Sequence, residues 1–146
     1  MLSITVEISR RITEQFKKAA KLAFPKETFA YLIGHDAGTQ LAVEELYFPD
    51  DVEQHCTEDA VHVQPHWLVD AQTHARETAA EVIGDIHSHP FPHSMSYVDR
   101  SPSESDIDRA WGSVYGICLV RQDKNGRLRA SIRFYPRQPE MITKVV

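Results

Sequence analysis

The feature that most constrains the fold is a change of hydrophobic period along the chain. Most apolar stretches of these 146 residues are short and alternating or β-branched, whereas two repeat at three and four residues. LSITVEI, residues 2–8, alternates like a half-buried strand. RRITEQFKKAAKLAF, residues 10–24, then sets Ile12, Phe16, Ala19, Ala20 and Ala23 on one helical face. FPKETFAYLIG reads as a short buried strand closed by the turn residues HDAG, and LAVEELYF as its hairpin partner. A brief strand, VHV, is expected at 61–63. PHWLVDAQTHARETAAE, residues 65–81, spaces Trp67, Leu68, Ala71, Ala75, Thr78 and Ala79 as a second helix, with Pro65 at its start. EVIGDIHSH is the next strand, FPHSMSYVDRSP a loop, and SVYGICLVR and RLRASIRFYP two strands around a DKNG turn. A third, short helix is expected from Ser103, where SESD forms a capping-box pattern ahead of IDRAW. Helices that interrupt runs of strands predict an α/β fold: a single-domain, three-layer sandwich with one mixed β-sheet flanked by helices.

The length suffices for one core without disulfides, so residues 1–146 are expected to form one domain. Two cysteines, Cys56 and Cys118, make no stapling framework and no CxxC pair, and Cys118 in YGICLV reads as a buried core thiol. No apolar run approaches the ~20 residues of a membrane span, and the start MLSITVEISRR has no signal-peptide pattern. A cytoplasmic protein without membrane partners is the expectation. The net charge of −5 and the lack of a long basic block argue against nucleic acid as a partner.

One short stretch, GDIHSHPFPHSMSYVDRSPSESD (84–106), carries three of the eight histidines. His87 and His89 are two apart on an expected strand, so both rings share a face while Ser88 takes the other. Two imidazoles on one face suit a shared cation, and zinc needs a third protein ligand with its fourth position kept for water. Asp106, in the first turn of the expected third helix, is a suitable third ligand. An HxH pair alone is a weak signal, because histidine has many other uses.

With PKETFAYLIG upstream, GDIHSHP, and the run Pro102, Ser103, Glu104, Ser105, Asp106, the chain resembles the JAB1/MPN/Mov34 metalloenzyme family (JAMM, or MPN+), in its prokaryotic branch. The resemblance covers most of the chain. It implies the cytidine-deaminase-like JAB/MPN fold and a Zn2+ cofactor held by His87, His89 and Asp106. Glu27 would be the general base and Ser103 the oxyanion stabiliser. Zinc, a carboxylate that relays a proton and a hydroxyl beside the carbonyl together imply hydrolysis of an amide or isopeptide bond. The implied substrate is a ubiquitin-like or sulfur-carrier-like protein cut at its C-terminus, in deconjugation, precursor processing or an antiphage conjugation system. Its extended tail is expected to add as a strand beside the active-site strand.

The spacing departs from the family pattern. Seven residues usually separate the second His from the Ser, but thirteen lie between His89 and Ser103. A second S-x-x-D, Ser96 to Asp99, follows His89 after six. Ser103 and Asp106 are favoured because a cap followed by a helical period fits SPSESDIDRAW and not SMSYVDRSP. On that reading residues 91–100 are an insertion in the active-site loop, able to act as a lid or recognition rim. Two other functions compete: a metal-free MPN-type binding scaffold and a phage or cell-wall peptide hydrolase. His93 and the other histidines receive no role.

Overall fold

The computed structural model of the chain describes residues 4–91, 112–138 and 140–146. Seven strands and two helices follow one another as β1 (Ile4–Ile8), α1 (Arg10–Ala23), β2 (Phe29–Asp36), β3 (Gln40–Tyr47), α2 (Pro65–Arg76), β4 (Glu81–Phe91), β5 (Val114–Gln122), β6 (Leu128–Pro136) and β7 (Met141–Val145), with a 3-10 turn at Val52–His55 before α2. The strands form one mixed sheet in the order β6-β5-β4-β2-β3-β1-β7. β4 runs antiparallel to β2 and parallel to β5, and β1 is parallel to both β3 and β7.

The helices lie on opposite faces, which makes the expected three layers. Ile12, Phe16 and Ala20 of α1 are buried against Val6, Leu32, Val43, Ile86, Cys118 and Val120. On the other face Trp67 and Ala71 of α2 pack with Phe29 and Tyr31. Trp67 stacks on Phe29 with ring centroids 5.5 Å apart, and its indole N–H donates to Asp51 Oδ1 at 2.7 Å. A buried indole needs such a partner, and here it pins the 3-10 turn region to the helix. Burial pushes the Cys118 thiol up to about 12, so it is a neutral core group, as expected of it.

Several details differ from the sequence reading. VHV forms no strand; Val61 makes only an isolated bridge with Cys56. The second helix stops at Arg76 rather than continuing through the ETAA run. Ala79 adopts φ 56° and the Ala80 N–H returns to the Ala75 carbonyl at 2.9 Å, a Schellman-type closure with alanine where glycine is usual. β7 was not expected; its five residues are too short and too mixed in polarity to signal a strand without their partner β1. The expected helix at Ser103 and the loop insertion lie outside the described residues, except that Phe91 ends β4 and packs with Tyr115, Ile117 and Leu119.

One irregularity decides which layer β4 serves. Leu32 pairs with Gly84 but Ile33 pairs with Val82, so Ile83 is an extra residue on β4. Val82 packs on the α2 side, Ile83 on the α1 side, and Asp85 is again opposite Tyr31 on the α2 side. Strict alternation from Val82 would have turned His87 and His89 towards α1. The bulge reverses the phase and aims them at the α2 face.

Gly84 sits at this bulge, and a Cβ there would run into the Val114 carbonyl oxygen of β5. Gly84→Ala is therefore expected to lower the thermal unfolding midpoint, with a cost at or above the upper end of about 1–3 kcal/mol. An unchanged midpoint would contradict this account of the bulge.

Candidate metal centre

The far end of β4 carries the histidine pair in three transverse rows on the α2 face. Register sets Tyr31, Asp85 and Tyr115 side by side in the first row and Phe29, His87 and Ile117 in the second. In the third, His89 pairs with Leu119, and continuing the β2–β4 register by one side-chain step brings Glu27 opposite His89. Reciprocal bonds between the intervening residues fix that continuation. The Thr28 N–H donates to Ser88 Oγ at 2.8 Å, and the Ser88 N–H donates to the Thr28 carbonyl at 3.0 Å.

His87 is 2% exposed and His89 is half-buried. Their Nε2 atoms are 2.8 Å apart, with ring centroids at 4.7 Å and planes tilted by 48°. The rings thus point their outer nitrogens at each other across a common point. At this separation one Nε2–H donates and the other Nε2 accepts. Two ligands of a tetrahedral zinc, each at about 2.0–2.1 Å, stand about 3.3 Å apart, so a small spreading of the rings admits the ion. Neutral imidazoles with carboxylate oxygens form the donor chemistry zinc prefers, and the pair fits that cofactor.

Glu27 is 5% exposed, and its backbone N–H donates to the Thr57 carbonyl at 2.8 Å. It stands just ahead of β2, held by the loop that leads to α2 on one side and by Thr28–Ser88 on the other. A buried carboxylate is expensive unless it has work or partners. Of the five expected site residues, the structure brings His87 and His89 into contact and places Glu27, buried, two residues before Phe29, the β2 partner of His87. Ser103 and Asp106 lie outside the described residues, as do the alternatives Ser96 and Asp99, and His93. Among the described residues no group of three or more His, Cys, Asp or Glu side chains is arranged to hold a metal.

Two residues of this region carried no expected role. Ser88 does face away from the histidines, but it is buried, at 1%, and binds the Thr28 amide. Asp85, 3% exposed, underlies the histidine row. Its acidic type two residues before the first His, on the same strand period, was the available signal. The remaining described histidines are largely accounted for by carboxylates: His35 by Glu44 at 3.3 Å, His74 by Glu45 at 3.0 Å, and His55 and His66 by the same Asp51 oxygen at 3.3 and 3.2 Å.

The active-site strand has neighbours on both sides over most of its length, because β2 pairs with Glu81–His87 and β5 with Gly84–Phe91. An incoming tail therefore cannot add along Gly84–His87, which leaves the stretch past His87, on the side away from β5, for the expected strand addition. The outer strands of the sheet are β6 and β7.

Ser88→Ala deletes the acceptor of a buried amide and is expected to cost about 1–3 kcal/mol, read as a lower urea midpoint. A midpoint equal to wild type would show that Ser88 does not lock Glu27 to His89.

The family described as prokaryotic homologs of the JAB domain matches residues 9–135. No curated protein matches the sequence. Among solved structures, a protein from Desulfitobacterium hafniense superposes with a TM-score of 0.63 at 19% identity, covering 97% of this chain and 94% of that one. A JAB1/MPN domain protein from Archaeoglobus fulgidus gives 0.56 at 25% identity, with 97% and 98% covered. A structure described as JAMM, a metalloprotease-like zinc site in the proteasome and signalosome, gives 0.52 at 24% identity over the same shares. With the fold and the histidine pair in place, the chain belongs to the prokaryotic homologs of the JAB domain.

Proposed function

We propose that the chain is a zinc-dependent peptidase or isopeptidase that hydrolyses an amide or isopeptide bond at the C-terminus of a ubiquitin-like or sulfur-carrier-like protein in the cytoplasm. The observation that carries the reading is the convergence of His87 and His89 Nε2 at 2.8 Å. Membership of a family that includes zinc metalloproteases supports it. Among the described residues no helix is long and apolar enough to cross a membrane.

In this reading His87 and His89 hold zinc through Nε2, and Asp106 is the third ligand. Zinc bound there supplies Lewis acidity, which brings the pKa of a water towards neutrality and polarises the scissile carbonyl. The Glu27 carboxylate takes the proton from the attacking water and hands it to the departing nitrogen. The Ser103 hydroxyl donates to the carbonyl oxygen as negative charge gathers there, a contribution of typically about 3 kcal/mol for one donor. Phe29, Ile117 and Leu119 flank the histidines in their rows and give the pair apolar lateral neighbours.

Cleavage of ubiquitin-like and sulfur-carrier fusions tests the proposal. Wild type is expected to release the C-terminal partner and to stop when a chelator is added. Glu27→Gln is expected to keep its zinc and lose roughly 10²–10⁴-fold in rate. Full activity of Glu27→Gln would overturn the mechanism. Zinc counted on separate Asp106→Ala and Asp99→Ala proteins identifies the third ligand: loss is expected only in the former, and retention there would shift the assignment to Asp99. A wild-type protein that binds zinc sub-stoichiometrically and keeps its structure under chelation would instead be a scaffold.

A further inference from the structure

Asp85 lies two residues before His87 on the same face of β4, in the interior of a seven-stranded sheet. A carboxylate there is costly unless donors surround it. Tyr31 and Tyr115 are its lateral neighbours by register. The phenol of Tyr31 is pushed upward first by burial and then by the charge of Asp85, which places the two groups within electrostatic reach. Forward along the strand, the next side chain on this face is His87.

The orientation of that ring is set by its neighbour. The His87 and His89 centroids are 4.7 Å apart and their Nε2 atoms 2.8 Å apart, so each Nε2 is the vertex turned towards the other ring. In an imidazole Nδ1 sits two ring positions from Nε2. With Nε2 directed forward to His89, the Nδ1 of His87 is turned back towards the row of Asp85. At about 3.3 Å of rise per residue the two Cα atoms are roughly 6–7 Å apart, a gap that an aspartate and an imidazole span with one hydrogen bond.

We infer that Asp85 is a positioning residue whose carboxylate accepts the Nδ1–H of His87 and holds that ring in the tautomer with a lone pair at Nε2. Its purpose rests on the zinc reading above; its geometry does not. A neutral histidine ligates through its unprotonated nitrogen, and a carboxylate behind the ring fixes both the tautomer and the aim. The same tautomer accounts for the short contact: His87 Nε2 accepts and His89 Nε2–H donates. The pair is therefore asymmetric. His87 is set for a metal in advance, while His89 must move its proton from Nε2 when one binds.

The test combines histidine side-chain 15N NMR on the metal-free protein with zinc affinity by competition against a chromophoric chelator. Wild type is expected to show His87 protonated at Nδ1. Asp85→Leu, which removes the acceptor, is expected to lose that tautomer and about 10–100-fold in zinc affinity. Asp85→Asn keeps an oxygen but not the charge, and should keep the tautomer with an affinity between the two. An Nδ1-protonated His87 in Asp85→Leu, with zinc affinity within twofold of wild type, would overturn the inference. Should Asp85→Leu fail to fold, Asp85→Asn binding zinc as tightly as wild type would overturn it equally. A wild type that binds no zinc would defeat the metal reading alone, because the tautomer in the metal-free protein still decides whether Asp85 holds His87.

Discussion

The antiparallel register between β2 and β4 is the constraint on which the rest depends. Its bulge at Ile83 sets the phase of β4, and its continuation through Thr28 and Ser88 sets where the chain before β2 stands. Without the bulge at Ile83, every later side chain of β4 would turn to the opposite layer. His87 and His89 would then point into the core beneath α1, towards Phe16, Leu32 and Cys118, where an imidazole pair has no partners. One extra residue thus separates the candidate site's face from a buried polar fault.

The packing on either side explains why the register holds. The α1 layer is dominated by Ile8, Phe16, Leu32, Ile86 and Val120, so slipping β4 would bury His87 and His89 among apolar side chains there. The α2 layer is mixed. Trp67 and Phe29 fill it near the helix, and Asp51 accepts the indole N–H there. Beyond the end of α2 that layer is left to Asp85, His87 and His89, flanked by Tyr115, Ile117 and Leu119 of β5. The polar groups of the candidate site occupy the part of the face that no helix among the described residues covers.

Much of this was legible from residue order. The two helical periods gave the layers, since Ile12, Phe16 and Ala20 and then Trp67, Ala71 and Ala75 are the buried stripes. The period of two placed His87 and His89 on one face and Ser88 on the other. The PKETFAYLIG and GDIHSHP motifs led to Glu27 through family resemblance rather than periodicity. Bulges were not legible: nothing in EVIGDIHSH separates Ile83 from its neighbours until the partner strand is known. Ala79 hid a helix end because alanine is a helix former and its left-handed conformation is imposed by the return of the Ala80 amide to Ala75. Strand β7 depends wholly on β1 for its bonds, and Asp85 acquires meaning only from the ring beside it. Asp106 and Ser103 rest on motif position and helix-cap pattern alone.

X-ray diffraction data collected on either side of the zinc absorption edge, from crystals grown with zinc, test the central claim most directly. The account predicts one strong anomalous peak bonded to Nε2 of both His87 and His89, at about 2.0–2.1 Å from each, with the Glu27 carboxylate near but not bound. A zinc peak elsewhere, or two histidines still 2.8 Å apart in zinc-saturated crystals, would contradict it.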